Sequence, residues 1–494
     1  MERSPLKIQQ FLIKSIWCII LFLAASVSAV NAGVFPVGQP EFRYLYDLNL
    51  RYESRTPDKT DYQLGPYPMD RFGCELGPFE KWRKIPDNQL QLFLFAGEDF
   101  RAANESHNIG YESIRGGLIG QPWKRLSVYT DFVLDQKLAE DPSYTGKKWR
   151  GFAGDIDQAF VAYADRRLSA LVGRFGGFWG PRESLLFGSA QKLDGLAYSF
   201  RWGRLAISYR LGALDGLHPD NNDGDLFEPR YIAAHRFDFH FSPRLRVGLF
   251  ETVVFGGPGR QIDLFYLNPL IFFHGSQLNA NVNDNTMVGF DFDINPTAGI
   301  QLYGQVLVDD IQLDNQSQSD KEPDQIGIVT GGYLTDILPQ TDLELQYQRV
   351  SNWTFNQIYP RNRYLNDGAP IGDVLGNDYD QVSLKLTRWW EQRFAVSLNL
   401  SYLRQGEGRI DAEWTQPWFD AEGDYSEPFP TGVVEKTSTV SIGLRGFLTT
   451  FTFIDFEAGV ENVKNSGHIA DNNRSLPFVR AYLSGFLLSG FGLD

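Results

Sequence analysis

The chain has 494 residues, a formal net charge of −15 and only two cysteines. So acidic a chain is unsuited to phosphate-rich partners, which excludes nucleic acid, and a single thiol beyond residue 32, Cys74, leaves no intramolecular disulfide or thiolate metal site to expect. Aromatic residues make up 14% of the chain while mean hydropathy stays at −0.29, a pairing that fits a wall with one lipid face and one wet face.

Residues 1–32 read as a signal peptide. Arg3, Lys7 and Lys14 flank an apolar run from Ile16 to Ala25, and Val30-Asn31-Ala32 supplies small residues at −3 and −1, so cleavage after Ala32 is expected. The run falls short of the roughly 20 residues a spanning helix needs. No later run resembles it, so any further crossing of a membrane must use strands. Residues 33–88 contain Pro36, Pro40, Pro57, Pro66, Pro68, Pro78 and Pro86, too many prolines for a barrel wall. Within them, Phe42 to Tyr52 is ambiguous. Phe42, Leu45 and Asn49 are helically spaced, whereas Phe42, Tyr44, Tyr46, Leu48 and Leu50 alternate like a strand. We read this part as a small periplasmic N-terminal element, with two short helices docked at a barrel base.

From residue 89 to 494 the dominant signal has period two. Phe394, Val396, Leu398, Leu400 and Tyr402 alternate with Ala395, Ser397, Asn399 and Ser401. Phe237, Phe239 and Phe241 alternate with Arg236, Asp238 and His240. Successive side chains of a strand point to opposite faces, so each such segment has one apolar and one polar side. Eighteen segments show the pattern: 89–101, 111–121, 124–136, 156–165, 167–175, 193–202, 203–212, 230–242, 244–255, 286–295, 297–309, 324–337, 340–350, 378–389, 391–404, 436–448, 451–463 and 476–490. The even-numbered links are short, as at Gln121-Pro122-Trp123, Ser242-Pro243-Arg244 and Leu338-Pro339-Gln340. Most odd-numbered links are long: 137–155, 176–192, 213–229, 256–285, 310–323, 351–377 and 405–435. A soluble sandwich has no reason to sort its links this way. An outer-membrane barrel does, with short periplasmic turns and long external loops. The fold class is therefore all-β, an antiparallel transmembrane barrel of about 18 strands. Trp123, Trp202, Trp389 and Trp390 fall beside the short turns and read as a periplasmic aromatic girdle.

Several stretches resemble the Wzi-type capsule-assembly outer-membrane proteins. They are FPVGQPEFRYLYDLNLR followed by GPYPMDR at 65–71, GRFGGFWGPRESLLFGS at 173–189, YLNPLIFF at 266–273, NDNTMVGFDFDI at 283–294, QLYGQVLVDD at 301–310, and Tyr364 with IGDVLGNDYDQVSL at 371–384. The resemblance spans most of the mature chain in order. It implies an 18-stranded barrel with helices on its periplasmic end. It also implies attachment or organisation of capsular polysaccharide by lectin-like binding rather than catalysis. Many outer-membrane barrels end on an aromatic residue. This chain ends Phe491-Gly492-Leu493-Asp494, so Phe491 would have to serve the barrel-assembly machinery from an internal position.

The external loops hold the candidate glycan contacts. Trp414, Trp418 and Tyr425 lie among carboxylates in 405–435, and Trp353, Tyr359, Arg361 and Arg363 lie in 351–377. Aromatic faces stack on sugar C–H surfaces, carboxylates accept hydroxyl hydrogen bonds, and arginine pairs with a uronate. The competing reading makes these rings the loops' own small core. Trp179, Arg182 and Glu183, in the bend GGFWGPRES, suit a plug or constriction as well as a ligand contact. Asp220, Asn222, Gly224 and Glu228 suggest an acidic calcium loop but lack the full spacing, so an ordinary polar loop is preferred and no metal or cofactor is expected. No HExxH, GxSxG or Walker sequence is present, which disfavours an enzyme. The expected partners are surface polysaccharide, outer-membrane lipid and the barrel-assembly machinery. The alternative function is a porin or substrate-specific diffusion channel.

Overall fold

The computed structural model describes residues 34–35, 40–55, 67–68 and 88–492, apart from 104–105, 124, 142–143, 145, 166, 181–184, 189–190, 218–227, 281, 312–320, 392, 423–424 and 450. The expected signal peptide, residues Asp220, Asn222 and Gly224 of the expected polar loop, and Arg182 and Glu183 therefore lie outside the described residues.

Eighteen antiparallel strands close into a barrel. In chain order they are β1 (Gln89–Ala103), β2 (Ser106–Trp123), β3 (Leu126–Asp135), β4 (Ala159–Ala164), β5 (Leu168–Gly176), β6 (Lys192–Trp202), β7 (Leu205–Leu217), β8 (Glu228–Ser242) and β9 (Leu245–Gly256). There follow β10 (Asn285–Thr297), β11 (Ile300–Asp310), β12 (Gln325–Leu338), β13 (Thr341–Val350), β14 (Tyr379–Trp390), β15 (Phe394–Gln405), β16 (Glu435–Thr449), β17 (Thr452–Lys464) and β18 (Arg474–Gly492). Each matches one expected segment. Strand β18 pairs with β1 from Phe478↔Ala103 to Gly492↔Gln89, which leaves no open edge. An even strand number lets an antiparallel sheet close on itself with both chain ends on the short-turn side.

One stave departs from expectation. The segment 156–165 is a strand only over Ala159–Ala164, and the upper part of its stave comes from 152–155, read as part of the preceding link. The upper part of β3 pairs with Phe152–Asp155, which forms a small hairpin with Lys148–Trp149. The lower part pairs with β4. Between them Gln158 turns inward, and its backbone exchanges hydrogen bonds with Asp131.

The alternation separates lipid from lumen. Phe239 and Phe241 are exposed on the outer wall, while Arg236 and Asp238, at alternate positions of the same strand, are wholly buried inside. Arg236 bridges Asp238 and Asp291 across two strands. Trp123, Trp202 and Trp390 are exposed beside the short turns, as a girdle requires. Trp389 does not join them. It points into the lumen and donates Nε1–H to Asp342 at 2.8 Å. Adjacent tryptophans on one strand cannot both face lipid, because the strand period is two.

Helix α1 (Pro40–Arg55) crosses the short-turn end of the lumen. It is one continuous helix of 16 residues, and the second of the two expected helices has no counterpart among the described residues of 33–88. Tyr44, Leu45 and Leu48 pack on Phe93, Phe95, Phe447, Phe453, Phe486 and Trp389 of the wall. At its start Glu41 meets Ser484 of β18. At its end the Ser54 carbonyl accepts from Gly299 N at 2.8 Å and from the Asn295 side chain at 3.1 Å. Lys385 pairs with Asp47 at 3.0 Å midway. At about 1.5 Å per residue the helix is roughly 24 Å long, enough to reach from one wall to the other.

Candidate functional site

Two structures are built from the external loops: a plug inside the lumen and an aromatic cluster above it. The plug forms where 177–180, 185–188 and 351–378 fold inward. Trp179 is buried, with Phe187 at 5.3 Å and the Arg210 guanidinium 5.1 Å above its ring. The two loops are tied by Gly188 N to the Ile371 carbonyl at 2.8 Å and by the Tyr364 hydroxyl to the Leu186 carbonyl. Tyr364 stacks on Phe355 at 5.3 Å, and both are buried with Leu185, Ile371 and Tyr379 in one apolar mass. Between plug and α1 remains a cavity of about 760 Å³, lined by polar groups that include Arg43, Asp47, Glu344, Lys385, Asn399 and Glu457.

The cluster joins residues more than sixty positions apart. Trp353 contacts Trp414 at 5.1 Å and Trp418 at 5.4 Å, Trp414 contacts Trp418 at 5.6 Å, and Tyr425 lies 6.2 Å from Trp418. All four contacts are edge-on, the favoured arrangement for rings with a negative face and a positive rim. Trp418 is the wholly buried centre and Trp353 its nearly buried floor, so neither presents a free ring face. Trp414 and Tyr425 are half-buried, and Phe419 is exposed at the edge.

Polar contacts hold the cluster. Glu427 accepts from the Trp353 indole at 3.4 Å and from the Tyr425 hydroxyl at 3.1 Å. Burial, more than the neighbouring Glu427 charge, pushes the Tyr425 hydroxyl up to about 12. The Glu427 carboxyl is raised, again by burial first. Asp378, just before β14, accepts from Gly408 N at 2.9 Å and from Thr431 N and its hydroxyl, and so closes the 405–431 loop at its base. Trp353 and Phe355 have φ of 69° and 71°. Bulky residues rarely occupy this left-handed region, which costs about 1–3 kcal/mol each and persists only where surroundings over-determine it. Here Asn352 Oδ1 holds Trp353 N at 2.9 Å, and Asp309 Oδ2 holds Phe355 N at 2.6 Å.

Of the other expected contacts, Tyr359 is exposed and carries the Arg361 guanidinium 4.4 Å above its ring. Arg361 also lies 3.9 Å from Glu228. Arg363 donates to the carbonyls of Asp411 at 3.0 Å and Ala412 at 2.7 Å, clasping one loop to the other. Its pKa is lowered, chiefly by burial. Asp378 and Glu427 were missed from sequence. Glu427 is one of many acidic residues in its loop. For Asp378, the Gly376-Asn377-Asp378 run before a strand was a turn signal that marked the position without its partners.

A strand-closed barrel with a lipid-facing apolar band, external loops folded into its lumen and an N-terminal helix across it is an outer-membrane β-barrel protein. The family model for the capsule assembly protein Wzi matches residues 127–475, and the chain belongs to that family. No curated protein matches it by sequence. Among solved structures it is similar to Wzi of Escherichia coli, described as an outer-membrane protein involved in group 1 capsule assembly and a carbohydrate-binding β-barrel. The TM-score is 0.60 at 15% identity, over 92% of this chain and 99% of that one. Pseudomonas aeruginosa OccD3 (OpdP) aligns less well, with a TM-score of 0.46 at 11% identity over 82% of this chain and 92% of that one.

Proposed function

We propose that this outer-membrane barrel retains or organises a capsular or other surface polysaccharide by binding it, without catalysis, at the aromatic cluster shared by loops 351–378 and 405–435. The observation that carries the reading is the cluster's construction. Two distant loops are locked around a buried tryptophan, leaving Trp414, Tyr425 and Phe419 at the outer surface beside the exposed carboxylates of Glu413, Asp420 and Glu422. A rigid aromatic surface loses little conformational entropy on binding, which suits it to weakly interacting sugar faces. Tyr359 with its stacked Arg361 offers a second contact, suited to an acidic sugar. Family membership and the carbohydrate-binding description of the E. coli structure support the same reading. Outer-membrane lipid and the barrel-assembly machinery complete the proposed partners.

Two measurements test it. Cells lacking the protein should still make the polymer but shed it to the medium, and unchanged surface retention would overturn the proposal. With purified polymer, Trp414→Ala and Phe419→Ala should each weaken binding about tenfold, the scale of truncating an aromatic anchor.

A further inference from the structure

The link between β9 and β10, residues 257–284, enters neither the lumen nor the aromatic cluster. It packs on the outside of the wall. Arg210 and Arg236 point inward, to the Gly177 carbonyl and to Asp291. By alternation Tyr209, Leu211, Ala233 and His235 point outward, as do Val253 and Phe255. All six are nonetheless buried, most of them under Tyr266 and Phe273 of this link. The Tyr209 hydroxyl donates to the Tyr266 carbonyl at 2.7 Å, and the Tyr198 hydroxyl to the Leu267 carbonyl at 3.4 Å.

The link reaches bilayer depth. Tyr198 lies four residues above Trp202, whose ring is 77% exposed at the short-turn girdle. A tilted strand climbs about 2.5 Å per residue along the membrane normal, so the contact is roughly 10 Å above the girdle, within a lipid band about 25 Å tall. At a similar level the outward pair His235–Glu251 (3.2 Å) would face hydrocarbon, which offers polar groups no hydrogen-bond partner. The link covers it. The helix Phe273–Ala280 starts over Glu251, whose carboxylate accepts from Phe273 N at 2.8 Å and His274 N at 2.7 Å. Much of the link's own backbone is satisfied internally, as hydrocarbon demands: Tyr266 N bonds Asp263 O, Asn268 N bonds Phe265 O, Ile271 N bonds Asn268 O and Ser276 N bonds Phe272 O.

Its outer surface is apolar. Leu264 is 76% and Leu270 70% exposed, with Ile262, Phe265 and Phe272 exposed beside them. On a water-facing loop this would be a costly patch. Here it continues the lipid-facing band of Phe200, Phe239, Leu249 and Phe290. A groove of about 680 Å³, lined by Val172, Leu196, Leu211 and Ile262, opens on the same side under the Arg174–Asp194 ion pair.

We propose that residues 257–284 are a re-entrant element that enters the bilayer from outside and lies on the barrel wall at hydrocarbon depth, where Leu264, Phe265, Leu270 and Phe272 contact lipid acyl chains and the groove beside Ile262 seats one. The inference does not rest on the glycan reading. The test uses the full chain with both cysteines replaced (Cys18→Ser, Cys74→Ser), reconstituted in phosphatidylcholine vesicles. Single cysteines at Leu264, Leu270 and Phe272 carry an environment-sensitive fluorophore. Phe290→Cys serves as the wall control and Ile469→Cys as the water-exposed control. Quenching by chain-brominated lipid at the three sites should fall within about twofold of that at Phe290→Cys, with weak quenching by aqueous iodide. Iodide quenching like that of Ile469→Cys would overturn the proposal. So would protection from both quenchers, which would mean that protein, such as a second copy, covers the patch. The unsubstituted chain gives an independent reading: a lipid with a diazirine in its acyl chain should label peptides covering 262–272, and labelling of the wall strands without them would also overturn it.

Discussion

Glu322, in the external link before β12, has a carboxyl pushed up to about 7, first by burial and then by the negative charge of Asp310, against the Gln325 amide that favours its ionised form. A carboxyl raised on folding binds its proton more tightly folded than unfolded. Its contribution therefore destabilises the fold progressively as pH rises from the ordinary carboxylate range to about 7, and levels off above. Glu322→Gln should remove this part of the pH dependence. Thermal unfolding at about pH 5 and about pH 8 should show a smaller drop in melting temperature for the variant than for wild type, and equal drops would reject the assignment. At the same scale, the ring types and loops of the aromatic cluster were legible in sequence, but the exposure of each ring was not. Trp414 and Trp418 sit four residues apart in one loop, and Trp418 is the buried one because Trp353, Trp414 and Tyr425 all pack round it. Arg363 is the same case. Its guanidinium is engaged by carbonyls that loop folding delivers, which no local pattern announces.

Among the elements, strands were the most legible because lumen and lipid impose opposite polarities on alternate residues. Helix α1 was ambiguous for a physical reason. A helix on a soluble core has one apolar stripe facing in and polar residues facing water. Inside a lumen it is surrounded, so Glu41, Asn49, Arg51 and Glu53 are buried along with Tyr44, Leu45 and Leu48, and no single stripe results. The link 257–284 shows how little length alone says about a loop. It was read by length as an external loop, and the density of Leu and Phe in 264–273 is what its packing on the outer wall and its exposed apolar surface leave in the sequence. For α1 the decisive anchor is Asp342, which receives Arg51, the Tyr333 hydroxyl at 2.7 Å, the Trp389 indole at 2.8 Å and Asp336 N at 3.0 Å. Arg51 also meets Asp336 at 2.6 Å, so losing Asp342 costs less than the about 3–5 kcal/mol of a fully broken buried pair, but it also leaves the Tyr333 hydroxyl and the Trp389 indole without their acceptor. Asp342→Ala should therefore release the helix from the wall. Hydrogen exchange should quicken across 40–55 while β1 and β18 stay protected, and unchanged exchange in the helix would refute this anchor.

For the molecule as a whole, α1 and the loop plug are two obstructions in series with a polar cavity between them. Each is fastened by different residues: α1 by Arg51 and Lys385 to the wall, the plug by the close approach of 185–188 to 371–372. Gly372 packs against the Leu185 carbonyl so closely that any Cβ would collide with backbone, and Gly188 stands in the same relation to the Gly372 carbonyl. Backbone cannot rotate aside as a side chain can, so Gly372→Val should wedge the two loops apart. Ionic resistances in series add, and the larger one sets the current. Wild type should therefore give no large stable step in a planar bilayer, and Gly372→Val alone should conduct little, because α1 still spans the lower lumen. Arg51→Ala alone should behave likewise, limited by the plug. The double variant should show steps several times larger than either single one. If Gly372→Val alone conducts as well as the double variant, α1 is no barrier to ions and the lumen has a single closure at its outer end.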